Sequence, residues 1–151
     1  MATLRFLLLS LLLIGMLTGC KKDEGTTPAP TAASQTELLV ANNWQTSRVS
    51  TTEGLSINRN RLNLSTQVLF DLDMQFRNNN TVRAIDRTSK QIINGGTWKL
   101  TADLKSIDVD VTGFTGNFPI IELSRTKLIL GQRAPVDGKD ADIHLEFDPS
   151  L

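Results

Sequence analysis

Few side chains in this sequence could carry covalent or proton-transfer chemistry, and their spacing works against it. There is one histidine, His144, and one cysteine, Cys20. Imidazole is the commonest general base near neutral pH, which makes His144 the first candidate. It lies on the polar parity of an alternating run, opposite Ile143, Leu145 and Phe147, which reads as a solvated strand position. Paired carboxylates can divide acid and base work in glycoside hydrolysis. Asp71/Asp73 and Asp108/Asp110 alternate with Leu72, Met74, Ile107, Val109 and Val111, so they fall on outward strand faces, where solvating the sheet is the simpler role. Asp137, Asp140 and Asp142 offer the oxygens calcium prefers, but without the Asp-x-Asp-x-Asp-Gly order; a charged hairpin is the alternative. One Cys and one His supply neither a structural zinc site nor a disulfide. No glycine-rich phosphate cradle follows a strand and opens a helix. The side chains therefore point to no enzyme, no metal and no cofactor.

Cys20 has a different context. Arg5 precedes an apolar run from Phe6 to Leu17. That run is shorter than the roughly 20 residues needed to cross a bilayer, and a basic start with a short apolar segment is the mark of a secretory signal peptide. A short membrane anchor is the alternative, disfavoured by the polar residues that follow. Leu17-Thr18-Gly19-Cys20 resembles the lipobox of bacterial lipoproteins. The resemblance implies cleavage before Cys20, a diacylglyceryl thioether on its sulfur and an acyl chain such as palmitate on its new amine. A lipidated Cys20 is no thiol nucleophile. Two or more chains hold firmly where one is marginal, at about 0.8 kcal/mol per buried methylene. Lys21-Lys22-Asp23-Glu24 resembles the surface-export signal of some diderm bacteria, which implies an outer-membrane anchor with the domain on the cell surface. A solvated charge run beside the anchor is the other reading.

Gly25–Ser34 is small, polar and Pro-bearing, and reads as a linker. The expected division is a signal peptide over 1–19, lipidated Cys and linker over 20–34, and one folded domain over 35–151, a normal size for a single core. Apolar residues make up 40% and charged residues 21%, with 16 basic against 16 acidic. This profile excludes a disordered tail or a polytopic membrane protein, and the balance gives no electrostatic reason to expect nucleic acid. Charge is uneven along the chain: Arg48–Lys105 is net basic and Ser106–Leu151 net acidic. Opposite flanks could thus steer a partner, or neighbouring strands could simply complement one another.

The elements that must position these residues are nearly all strands. Ser34-Gln35-Thr36-Glu37 has capping-box spacing and predicts a short helical turn through Leu38, Leu39 and Val40. Alternation then takes over. Strands are expected at Trp44–Thr51, around Leu72, Met74 and Phe76, and, after an Asn78-Asn79-Asn80 turn, through Val82 and Ala84. Asn94-Gly95-Gly96 suggests a bulge or bend before Trp98 and Leu100. Further strands run through Ile107–Val111, through Ile121 and Leu123 after a Gly113–Asn117 loop, and through Leu128 and Leu130. Asp137-Gly138 turns the chain into Ile143, Leu145 and Phe147. Thr52–Thr66 reads as a long loop or lid. Eight one-sided strands can close into an antiparallel barrel whose interior is just filled by side chains or holds one small ligand, and closure removes exposed edges. A two-sheet sandwich is the alternative.

Trp44, Met74-Gln75-Phe76-Arg77-Asn78-Asn79-Asn80-Thr81, Gly96-Thr97-Trp98-Lys99-Leu100 and Leu123-Ser124-Arg125-Thr126-Lys127-Leu128 together resemble the lipocalin-like domain of small bacterial lipoproteins. The resemblance spans most of Glu37–Phe147 and implies an all-β, eight-stranded up-and-down barrel. Departures from true lipocalins are a first strand bearing Asn42-Asn43-Trp44 in place of Gly-x-Trp, no Arg on the last strand, and no room for a helix after Phe147.

Function then turns on the inward face. Trp44, Arg48, Met74, Phe76 and Trp98 are the candidate ligand-binding residues, Arg48 sharing the parity of Trp44 as a cation at one barrel end or as a cap stacked on that ring. Tyr, used with Arg by intracellular fatty-acid carriers, is absent. The leading expectation is a tethered, non-catalytic module binding a small apolar ligand in the barrel or at its mouth under Thr52–Thr66. The alternative is an envelope protein with a solid barrel, most inward residues being bulky, whose outer surface binds another protein.

Overall fold

The computed structural model describes residues 31–150; the signal run, Cys20 and most of the linker lie outside them. The first element is a helix, α1, over Ala32–Val40. Its cap is Thr31, whose hydroxyl accepts from the Ser34 backbone while Ser34 Oγ accepts from the Thr31 backbone. The cap thus lies three residues before the one expected at Ser34, because serine at the third helical position closes the reciprocal pair as glutamate would.

Eight strands follow: β1 Asn43–Thr51, β2 Leu72–Phe76, β3 Thr81–Asp86, β4 Ile92–Leu100, β5 Ser106–Val111, β6 Phe114–Leu123, β7 Leu128–Val136 and β8 Lys139–Ser150. Each pairs antiparallel with the next, and β1 pairs with β8, so the sheet is a closed up-and-down barrel. This is the closed eight-stranded barrel expected, not a sandwich. Phe114–Asn117, expected as loop, belongs to β6; the turn is confined to Thr112-Gly113. Asp137 and Gly138 both hold positive φ, 51° and 75°, the two-residue hairpin geometry that matches the twist of its strands.

The interior is apolar and close-packed. Trp44, Val49, Ile107, Leu128, Ile143 and Leu145 are no more than 1% exposed, and Leu72, Met74, Phe76, Val82, Val109, Phe118, Leu130 and Phe147 no more than 7%. Phe76 and Trp98 meet edge to face at 5.6 Å, the arrangement their ring quadrupoles favour.

Both barrel ends are covered. At the end where β1 starts and β8 finishes, α1 lays Leu39 across the opening, and the buried Trp44 indole donates to the Leu39 carbonyl at 2.8 Å. That carbonyl lies in the last turn of α1, where helical acceptors are left free. At the opposite end the segment from Thr52 to Asp71 forms a plug. The sequence reads as plain loop here, but the segment holds a short helix, α2, over Leu64–Val68 and 3-10 turns at Arg59–Arg61 and Leu69–Asp71. It buries Ile57, Leu62 and Leu69 and adds bridges Ser50↔Ser56 and Leu62↔Val136.

Three bulges break the two-residue period. The β1–β8 register passes from Thr46↔Phe147 to Arg48↔Glu146, so Ser47 is an extra residue. Ile93 is extra between Ala84↔Asn94 and Ile85↔Ile92, and Ile121 is extra between Ile120↔Leu130 and Glu122↔Ile129. An inserted residue reverses the facing of everything beyond it.

Candidate functional site

The five candidate ligand residues divide between core and surface. Trp44, Met74, Phe76 and Trp98 are all buried, Trp44 directly opposite Met74 across β1 and β2. The Trp98 indole donates to the Arg77 carbonyl at 3.1 Å. Arg48 does not join them. The bulge at Ser47 turns it to the outer face, where its guanidinium grips Glu146 with hydrogen bonds of 2.9 and 3.0 Å. It neither caps Trp44 nor offers a cation to the interior.

The outward acids are also not uniformly solvated, as alternation had suggested. Glu146 is 4% exposed and accepts from Ser50 Oγ at 2.8 Å besides Arg48, with Lys127 Nζ 3.4 Å away. Burial pushes this carboxyl up, but the hydrogen bonds from Arg48 and Ser50 and the nearby positive charges outweigh it and hold the group below its ordinary range. Asp73 is 3% exposed, with Arg87 and Lys90 from the β3–β4 hairpin 3.6 and 3.7 Å away. Hydrophobic spacing does not reveal such carboxylates, because long cationic side chains from neighbouring elements fold over them. Asp71 pairs with Arg59, Asp108 with Lys99, Asp137 with Arg61, and Asp140 and Asp142 with Arg133. Of the acids that could serve acid–base work or calcium, all but Asp110 therefore have a cationic partner; Asp110 accepts instead from Thr115 Oγ1 at 3.2 Å. Among the described residues no group of three or more His, Cys, Asp or Glu side chains is arranged to hold a metal ion.

Two seams of the barrel wall pair over only three residues each, β1–β2 and β6–β7, and the second of these is a long interruption. The β6–β7 pairing runs from Leu123↔Leu128 only as far as Ile120↔Leu130, whereas β7 stays paired with β8 along its whole length to Val136↔Lys139. Proline explains the break. The Ile120 amide donates to Lys105 on the β5 side at 2.8 Å. Successive strand amides point to opposite edges, so the Pro119 nitrogen faces β7 and has no hydrogen to give. On β7, the Pro135 carbonyl accepts from Asn63 of the plug at 3.3 Å, which puts the Pro135 nitrogen on the same open edge. The plug fills the far part of this gap through Leu62↔Val136 and a 2.7 Å bond from the Asp137 amide to the Arg61 carbonyl.

What remains open is a groove of about 380 Å³ running over β6, β7 and β8 beside Thr52. Gly131 leaves its floor bare; a Cβ there would stand 3.5–3.7 Å from Pro119 and Ile121, in ordinary contact. Ile121, the bulged residue, is 52% exposed; alternation had placed it inside, and the bulge sends Phe118 and Ile120 inward in its stead. Gln132 and Ile143 line the inner side, His144 and the Arg133–Asp142 pair the rim. His144 therefore stands outside the barrel, as its parity predicted. The Gln132 Oε1 atom is buried without a hydrogen-bond partner. Sequence reasoning missed this groove, although prolines inside would-be central strands were its available signal.

Compared with protein-family models and with curated proteins, the chain matches none. Among solved structures it is similar to a lipocalin-like protein from Bacteroides uniformis, at 14% identity and a TM-score of 0.49, over 74% of this chain and 98% of that one.

Proposed function

We propose that this is an envelope lipoprotein, tethered to the outer membrane through acyl chains on Cys20, whose barrel is a non-catalytic binding module for a small apolar ligand taken up at the β6–β7 groove. The observation that carries the reading is the wall that stays open beyond Ile120↔Leu130 and is lined by Pro119, Ile121 and Gly131. Its volume lies within the range of small-molecule sites, roughly 300–1,000 Å³, and its lining combines an apolar floor with a few polar groups. Native mass spectrometry of the chain purified from its own host tests this. A co-purifying molecule lost in Gly131→Val is expected, since a side chain there fills the floor, its Cβ standing in ordinary contact with Pro119 and Ile121. A ligand-free protein, or a ligand retained by that variant, overturns it. Metabolic labelling with a fatty-acid analogue tests the tether: Cys20→Ala is expected to lose the label.

One observation favours a second reading, an envelope protein that binds a protein partner through its surface. The interior is filled, while Leu55, Leu64 and Val68 on the plug are 69%, 81% and 43% exposed. Truncation of these three side chains to Ala, or their replacement by Asp, would abolish partner capture under that reading and leave groove occupancy unchanged.

A further inference from the structure

The groove also carries information about the head group of what it takes. We infer that its ligand is a neutral amphiphile bearing a hydroxyl or N–H donor, and not an anionic one such as a fatty carboxylate; this rests on the groove being the binding site. Charge is the first argument. The basic side chain lining the groove, Arg133, lies between Asp142 at 3.4 Å and Asp140 at 4.0 Å. Asp142 lines the groove as well, and no other Lys or Arg does. An entering carboxylate would meet Asp142 and no unpaired Lys or Arg, so its desolvation would be poorly compensated.

The second argument is the unmet acceptor. Gln132 lines the groove, yet its Oε1 atom is buried and unpartnered. A buried acceptor left unpaired is costly, and pairing it recovers that cost. The terminal torsion of a glutamine amide is broad and twofold, so a half-turn about it exchanges the two ends of the amide and brings Oε1 to the groove, where a donor could reach it. A hydroxyl or amide N–H satisfies this atom; a carboxylate, having only acceptors, repels it. The rest of the ligand would lie over bare Gly131 against Pro119 and Ile121, which asks for an apolar body.

Photoaffinity labelling of the full chain in detergent, with a diazirine-bearing decanol and the matching decanoate, tests the inference. Labelling is read on peptides carrying Pro119–Ile121 and Gly131–Arg133, as the excess over Gly131→Val. The alcohol is expected to exceed the acid at least tenfold, and Gln132→Leu to reduce that preference to about twofold or less while leaving the fold intact by circular dichroism. Equal labelling by the acid, or a preference untouched in Gln132→Leu, overturns the head-group inference and leaves the groove as the site. No excess labelling by either probe overturns both.

Discussion

Glu146 shows how a single outward residue can be structural without belonging to the core. Its carboxylate gathers Arg48, Ser50 and Lys127 from β1 and from the turn before β7, across the β1–β8 and β7–β8 seams. Because its folded-state pKa is depressed, the stabilisation is fully present above the unfolded value and is lost as pH falls through the folded one. Glu146→Gln is expected to cost about 1–2 kcal/mol at pH 7, at the modest end for charged hydrogen bonds because Arg48 is half-exposed. Acid titration of stability should then be shallower in the variant than in the parent below the ordinary value of 4.5. An unchanged acid limb would show that other carboxylates dominate. Inside, the edge-to-face pair of Phe76 and Trp98 sets a larger scale. Trp98→Ala or Phe76→Ala should each lose about 3–5 kcal/mol in denaturant unfolding.

At the scale of elements, two glycines in strands make opposite demands. A Cβ on Gly96 would sit 1.8 Å from the Asp110 carbonyl oxygen, so β4 could not keep its register with β5. Gly96→Ala is expected to destabilise by about 3 kcal/mol or more, as a severe overpacking change, whereas Gly131→Ala should shift the thermal midpoint little. That contrast was only half legible in the sequence. Alternation located all eight strands, because each buries one face, and Asp137-Gly138 specified its turn through positive φ. Arg48 and Ile121 were placed on the wrong face because an extra residue, Ser47 in one strand and Ile121 itself in the other, leaves no trace in hydrophobic period. The plug was equally opaque. Ile57, Leu62 and Leu69 follow neither a period of 2 nor of 3.6, since each reaches the barrel from a different local turn.

In the whole molecule, the two covers differ in how they are held. α1 is fastened by a buried indole–carbonyl bond, while the plug rests on scattered backbone bonds and on exposed ion pairs, Arg59–Asp71 and Arg61–Asp137. Exposed pairs are screened by salt. Hydrogen exchange should therefore find amides between residues 52 and 63 opening faster than those of β7 and β8, and faster still in high salt; uniform protection would contradict this. The seam that joins β1 to β8 has a consequence of another kind. It sets Asn43 against Ser150, so the strand made earliest among those described waits for the strand made last. Loop closure on that length must be met before the pairing rewards it, which places such topologies among slow folders, on the order of milliseconds to seconds. While the chain is still emerging, β1 and then β7 present bare edges to any neighbouring chain. Completion of the barrel thus waits for β8, and the interval before it is when this molecule is most exposed to misassembly.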